Sequence, residues 1–283
     1  MRVLVTGATG YIGGRLVTVL RSLGHEVRVL VRQPVNGRWD AVEQVVGNLA
    51  HPNSLSLVCQ DVDVICHLGG GMRSAGRDAT IVNVEGTRAL MDDAIRHHVR
   101  RFVFGSAAVV YGDVVSPPAS EETVCQPLPG HAYALSKLEA EQQLHRLAAG
   151  DTELVVARIA QVYSADSPSI LRFPQLAAMV SGHNRTHFVH REDVVRALAM
   201  LMRPEHAPGI YNVADDHPLT VQEAASLIQE ATGDARVVAA SSPIAPMLRR
   251  VMEATLVLDT HKIKANGFVP KYPALEEGLH HET

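Results

Sequence analysis

The sequence predicts an α/β chain, a doubly wound parallel sheet followed by a smaller C-terminal lobe. Three observations predict it. Apolar, β-branched runs alternate with helical runs from Arg2 to Ile159. A glycine-rich turn, Gly7-Ala8-Thr9-Gly10-Tyr11-Ile12-Gly13, joins the first strand-like run to the first helical one. Beyond Tyr163 the alternation breaks down. Repeated strand–helix units imply parallel neighbours with a ligand at the carboxyl ends of the strands.

The elements follow in order. Arg2 to Thr6 is a short apolar run, a buried strand. Leu16, Val17, Val19, Leu20 and Leu23 fall at helical spacing, and Gly24 closes that helix. Glu26–Val31, Val42–Val46 and Val62–Leu68 read as the second, third and fourth strands. Asn83–His97 carries Val84, Ala89, Leu90, Ala94 and Ile95 on one helical face. Arg101–Ser106 is the fifth strand, Ala132–Leu147 a helix and Leu154–Ile159 the sixth strand. Ser164 to Thr186, with Pro168 and Pro174, reads as irregular. Glu192–Met202 is helical and Ile210–Val213 a strand. Thr220 opens a helix with a capping box, Glu223 lying three residues on, and Gly233 ends it. Ser241–Pro246 reads as a loop, and the last forty residues as weakly structured.

The glycine turn carries the first chemistry. Strand, glycine turn, helix and strand is the unit that cradles a pyrophosphate. The glycines let backbone approach the phosphates, and the helix N-terminus offers free N–H groups and a positive dipole end. An ordinary glycine-rich turn is the competing account of the glycines alone. A second pair of residues adds to it. Tyr133 and Lys137 stand four apart and so share a helix face. An ammonium beside a phenol favours phenolate, so the pair is expected to lower the Tyr133 pKa and make it an acid or base near neutrality. After the second strand stands Val31-Arg32-Gln33, with no acid before Asp40. An acid there would receive a ribose 2′-OH and repel a 2′-phosphate, whereas Arg32 can pair with a phosphate bidentately. The expected cofactor is therefore NADP, with NAD left open.

Bulk properties exclude other classes. With 283 residues and 46% hydrophobic content, the chain can bury a sizeable core. A net charge of -4 and few aromatic residues argue against a nucleic-acid partner, and no apolar run reaches the length of a membrane span. Met1 opens directly into a strand, and Cys59, Cys66 and Cys125 are odd in number and lack CxxC spacing, so reduced thiols and a cytoplasmic location are expected. Fifteen histidines fall into no ligand spacing, so no metal site is expected.

Further motifs accompany these. They are Gly47-Asn48-Leu49, His67-Leu68-Gly69-Gly70, Asn83-Val84-Glu85-Gly86-Thr87, Phe188-Val189-His190-Arg191-Glu192-Asp193-Val194 and Tyr211-Asn212-Val213. With the opening Thr6-Gly7-Ala8-Thr9-Gly10-Tyr11-Ile12-Gly13, the chain resembles the extended short-chain dehydrogenase/reductase family, also called the NAD-dependent epimerase/dehydratase family. The resemblance implies a Rossmann dinucleotide-binding domain over 1–163. It implies a mainly substrate-binding lobe over 164–283, with 188–213 packing back on the first domain. It also implies cofactor contacts at Gly7, Thr9, Gly10, Tyr11, Ile12, Gly13, Asn48, Leu49, Leu68, Gly69, Gly70, Lys137, Ile159 and Val162. In the family, a tyrosine moves the proton, a lysine holds the nicotinamide ribose, and a Ser/Thr polarises the substrate oxygen.

One departure matters. The family's hydroxyl stands four residues before the second tyrosine; here Ala107 stands four before Tyr111. Ser106 is one residue off and, on a strand, faces the other way. Three readings stay open: Ser106 or another hydroxyl substitutes, Tyr133 and Lys137 work alone, or redox activity is lost and the fold does something else. The expected function is hydride transfer between nicotinamide and a carbonyl or secondary alcohol of a small molecule. Nucleotide-sugar epimerisation or dehydration, and dinucleotide binding without turnover, are the alternatives. Ser164–His187 looks short for gripping a nucleoside diphosphate, and its basic side chains besides histidine are Arg172 and Arg185. Ile170, Leu171, Phe173, Leu176 and Met179 are expected to line a partly apolar ligand pocket. A homodimer is left open.

Overall fold

The computed structural model describes residues 1–39, 42–71, 80–148, 150, 152–165, 167–180, 184–233 and 246–280. Asp40 and the expected loop at 241–245 lie outside the described residues.

The first half forms the predicted alternation. β1 (Arg2–Thr6), α1 (Tyr11–Ser22), β2 (Glu26–Val31), β3 (Glu43–Val46) and β4 (Val64–His67) precede a single π-turn at Ile81–Glu85 that runs into α2 (Gly86–Arg96). β5 (Arg101–Ala107), β6 (Val114–Ala119), α3 (Ala132–Leu147) and β7 (Glu153–Ile159) follow. β8 (Gln161–Tyr163), α4 (Pro168–Ala177), β9 (Arg185–Thr186), β10 (Phe188–His190), α5 (Arg191–Leu201) and β11 (Gly209–Val213) come next. The larger sheet is seven-stranded in the order β11-β7-β5-β4-β1-β2-β3. From β3 to β5 the strands pair in parallel, with Arg2 opposite Glu26 and Val3 opposite Val64. The chain runs outward from β1 through β2 to β3, then returns to place β4 on the other side of β1. That reversal is the switch point at which a ligand seats itself beyond the strand ends.

The strands at its centre are buried on both faces. Val3, Leu4, Val5, Ile65, Val103 and Phe104 show no exposure, which is why they read as continuous apolar runs. Leu4, Ile65, Leu90, Phe102, Phe104, Ala140 and Leu144 belong to one core.

The chain divides into two compact units, each discontinuous in sequence. The first is Met1–Ser106, Ala132–Ala157 and Val195–Ile210; the second is Ala107–His131, Arg158–Val194 and Tyr211–Thr283. The sequence predicts a boundary at residue 163 with 188–213 packing back on the first domain, and Val195–Ile210 groups with the first unit.

The second unit contains more regular structure than its sequence pattern implies. Besides α4, it holds β12 (Leu219–Thr220), α6 (Val221–Thr232), α7 (Pro246–Glu253), β13 (Leu256–Leu258), α8 (His261–Ala265) and α9 (Leu275–His280). A four-stranded sheet in the order β12-β9-β13-β6 and a parallel β8–β10 pair organise it. Its core gathers Ile170, Phe173, Phe188, Val221, Ile228, Leu275 and Leu279. Two expectations fail here. The stretch after Ser164 is helical, with Pro168 opening the helix at a position that needs no N–H. Ile170 and Phe173 face that core, while Leu171 is exposed. Where weak structure is expected over the last forty residues, residues 246–280 hold short elements that a periodicity window does not register. The capping box at Thr220 forms as predicted: its hydroxyl accepts from the Glu223 N–H at 3.1 Å, and the Glu223 carboxylate accepts from the Thr220 N–H at 2.8 Å.

Candidate active site

The site is assembled within the first unit, from the ends of β1, β4 and β5 and the first turns of α1 and α3. Gly7 follows β1 with φ +67°, a left-handed conformation that a side chain disfavours. A Cβ on it would stand 2.7 Å from the Leu68 carbonyl. A Cβ on Gly13 would stand 2.3 Å from the Gly7 oxygen. The turn is therefore backbone packed on backbone, and the N-terminal end of α1 has no acidic residue in its first turn. This cradle fits a dinucleotide diphosphate, which needs close main-chain approach and unopposed N–H groups.

Leu68, Gly69 and Gly70 are fixed by a chain of polar contacts. The Thr6 hydroxyl accepts from the Gly69 N–H at 2.9 Å and lies 2.6 Å from His67 Nδ1. His67 Nε2 is 2.8 Å from the Thr87 hydroxyl. The ring is fully buried and stacks on Phe104 with centroids 5.6 Å apart. Burial, and secondarily the Lys137 charge, lower its pKa to about 3, so it is a neutral bridge rather than an acid. Asn83 carries the other side of the loop. Its Oδ1 accepts from the Gly71 N–H at 2.7 Å, and its amide donates to the Ser136 hydroxyl at 2.9 Å. Asn48 Oδ1 accepts from the Ala50 N–H at 3.0 Å, shaping the turn that sets Leu49 against Gly69 and Gly86.

Lys137 reaches this loop from α3. Its Nζ is buried, donates to the Gly105 carbonyl at 2.8 Å, and would lie 3.5 Å from a Cβ on Gly70. Burial lowers its pKa to about 8, and the Glu141 carboxylate pushes back upward. The ammonium also sits 4.5 Å from the Phe104 ring centroid. The expected effect on Tyr133 is reversed, however. Burial raises that phenol to about 12. Lys137 is engaged by Gly105, 6.0 Å from the Tyr133 ring centroid, so desolvation outweighs any stabilisation of phenolate.

Ser106 is buried, and its hydroxyl donates to the Glu141 carboxylate. The structure thus gives it a structural partner one helical turn beyond Lys137. Arg32 is exposed at the end of β2. Ile159 and Val162 lie in the second unit, Ile159 buried and Val162 paired with Val189. Sequence reasoning missed Arg38, whose Nη1 donates to the Thr9 carbonyl at 3.2 Å, and the supporting roles of Thr6, His67, Asn83 and Glu141. The Asn83-Val84-Glu85-Gly86-Thr87 and His67-Leu68-Gly69-Gly70 motifs were the signal for two of these, Asn83 and His67.

A glycine cradle at a sheet switch point, with a buried lysine and a tyrosine on one helix beside it, defines an enzyme of the nicotinamide-dinucleotide class. The comparisons agree. The model of the NAD dependent epimerase/dehydratase family matches residues 3–214, and the chain belongs to that family. It is 28% identical to a dTDP-glucose 4,6-dehydratase of Streptomyces niveus, over 99% of this chain and 90% of the relative. It is also 28% identical to the 4-hydroxy-2-methyl-3-oxo-4-farnesyl-3,4-dihydroquinoline-1-oxide ketoreductase of Stigmatella aurantiaca, over 82% of this chain and 74% of the relative. Among solved structures, MoeE5 in complex with UDP-glucose and NAD superposes with a TM-score of 0.82 at 25% identity, covering 99% of this chain and 96% of the other. No helix of the described residues is long and apolar enough to cross a membrane.

Proposed function

We propose that the chain is a nicotinamide-dependent reductase of a small molecule, transferring hydride between the cofactor and a carbonyl or secondary alcohol. The observation that carries this is the placing of Tyr133 and Lys137 on one helix beside the Leu68–Gly70 loop, with the Lys137 ammonium buried and held by Gly105. Gly7, Gly10 and Gly13 would hold the diphosphate. Lys137, with N–H groups beyond the one given to Gly105, would hold the ribose. The bound nicotinamide supplies the hydride donor or acceptor. Tyr133, protonated at neutral pH, is set to donate a proton to a substrate oxygen. That state suits carbonyl reduction. Ser106, bound to Glu141, supports the Lys137 face of α3 rather than touching substrate. NADP is the preferred cofactor, since Arg32 ends the second strand where an acid would select NAD.

A second reading has its own support. The dehydratase relative spans 99% of this chain, and the MoeE5 complex holds UDP-glucose and NAD. A nucleotide-sugar epimerase or dehydratase therefore stands as the alternative. Against it, Arg185 is already engaged by the Pro218 carbonyl at 2.8 Å and by Glu223 at 3.7 Å. Thermal-shift screening with cofactor present, UDP-, dTDP- and GDP-sugars against ketones and hydroxy compounds, tests the choice. Stabilisation and cofactor oxidation with a ketone are expected. Stabilisation by one nucleotide sugar, lost in Arg172→Ala or Arg185→Ala, would establish the alternative. Titration with both cofactors tests the other part, and a clear preference for NAD would overturn the NADP assignment.

A further inference from the structure

We infer that Arg38 grips a phosphate of the dinucleotide, acting as a clasp closed over the glycine turn, and that Trp39 reports its engagement. The inference rests on the cofactor site proposed above. Arg38 lies far along the loop after β2, yet its guanidinium comes back onto the turn. Nη1 donates to the Thr9 carbonyl at 3.2 Å. A Cβ on Gly14 would stand 2.8 Å from Nη2, so the guanidinium rests on the bare Cα of that glycine, in the first turn of α1. Gly14 is not one of the three glycines of the pyrophosphate fingerprint, and this contact gives it a reason to lack a side chain. The guanidinium also stacks on the Trp39 ring, 4.9 Å from the centroid.

The electrostatics of this placement call for an anion. A helix N-terminus carries a partial positive charge, and α1 offers no acidic residue in its first turn. Arg38 brings a full positive charge to the same end. Among the described residues no carboxylate pairs with it, and its partners are one carbonyl and an aromatic face. Two positive features with no counter-charge among the described residues raise each other's free energy, and a phosphate between them relieves both. A planar guanidinium suits phosphate oxygens better than an ammonium does, because it can donate two parallel N–H bonds. The bound phosphate is either the diphosphate or a ribose 2′-phosphate; the chemistry is shared and the cofactor pair separates them. Arg32 and Arg38 are both exposed, and what sets Arg38 apart is its bond to the Thr9 carbonyl on the glycine turn.

The test uses calorimetric titration of NAD and NADP into the whole chain and its variants. Arg38→Met is expected to weaken at least one cofactor by about 10- to 100-fold, the scale of a charge-assisted hydrogen bond. Loss for both marks the diphosphate, and loss for NADP alone marks the 2′-phosphate. Arg38→Lys should fall between Arg38→Met and the parent. Gly14→Ala leaves the charge but pushes the guanidinium off the helix, so it should weaken the same cofactor; it also tests the idea should Arg38→Met fail to fold. Trp39 is the single tryptophan of the chain, so its emission should change when ADP or 2′,5′-ADP is added to the parent and stay unchanged in Arg38→Met. Affinities for both cofactors within twofold of the parent in folded Arg38→Met would overturn the inference while leaving the cofactor site intact. A parent chain that binds neither cofactor would instead remove the dinucleotide reading, and this inference with it.

Discussion

Two buried ionisable groups, Lys137 in the first unit and Asp215 in the second, receive opposite treatment. Lys137 is 4% exposed, and its surroundings are built to keep it charged: the Gly105 carbonyl accepts from it, the Phe104 ring lies against it, and the Glu141 carboxylate raises its pKa against the pull of burial. Asp215 is 1% exposed, and among the described residues neither carboxylate oxygen has a hydrogen-bond partner. Burial raises its pKa to about 8, assisted by Asp216 and Asp193 and opposed by the nearby backbone N–H groups of His217 and Phe188. The difference teaches how a fold handles charge it cannot solvate. Lys137 is given partners that oppose the pull of burial, whereas at Asp215 burial is left to favour the protonated form.

The largest effect expected follows from the compensated site. Tyr133→Phe keeps the ring and removes the proton. A general acid contributes about 10²–10⁴-fold, so kcat should fall by that order with the melting temperature little changed. Turnover equal to the parent would move the proton to another group and leave the Lys137 network with a structural role alone.

The same contrast separates what the sequence showed from what it hid. The glycine turn, the i to i+4 spacing of Tyr133 and Lys137, and the Thr220 capping box are local patterns, and each forms as a local pattern should. The sheet was legible because buried parallel strands are apolar on both faces. The raised Tyr133 pKa was not legible, because spacing fixes which residues share a face but not how far water is excluded. Ser106 looked available because a strand residue's partner lies on a distant element, here Glu141. Arg38 returns to Thr9 across a loop whose conformation no periodicity encodes. Asp215 stands two residues after the Tyr211-Asn212-Val213 motif and reads as a polar loop residue until the Phe188 strand and its neighbours cover it.

Asp215 supplies the next prediction, and the sign is fixed by its direction of shift. A carboxyl with a folded pKa raised to about 8 binds its proton more tightly in the folded chain than in the unfolded one, whose value is about 3.9. Its favourable contribution is complete below about pH 4 and is lost as pH rises toward 8. Asp215→Asn cannot titrate. The parent's melting temperature should decline across that window, and the variant's should decline less, so that Asp215→Asn is the more stable chain at pH 8. Parallel curves for the two would mean that Asp215 is charged and partnered in solution, and the contrast with Lys137 would collapse.

The smallest effect is expected at Ser106, and it probes the other half of the contrast from within. If the hydroxyl touched substrate, Ser106→Ala would lower kcat by about 10²-fold or more, the scale of losing one preorganised donor. The bond to Glu141 points elsewhere. Removing the hydroxyl leaves a buried carboxylate with one donor fewer, a loss of about 1–3 kcal/mol in stability. The Glu141 charge beside Lys137 remains, so the ammonium stays protonated and kcat should change by less than about tenfold. Denaturant unfolding read together with kcat and KM distinguishes the two cases. A stable Ser106→Ala with kcat depressed a hundredfold would place Ser106 among the catalytic residues and restore the hydroxyl that Ala107 lacks. A destabilised variant with near-parent kcat would fix it as a strut of the network that keeps Lys137 charged.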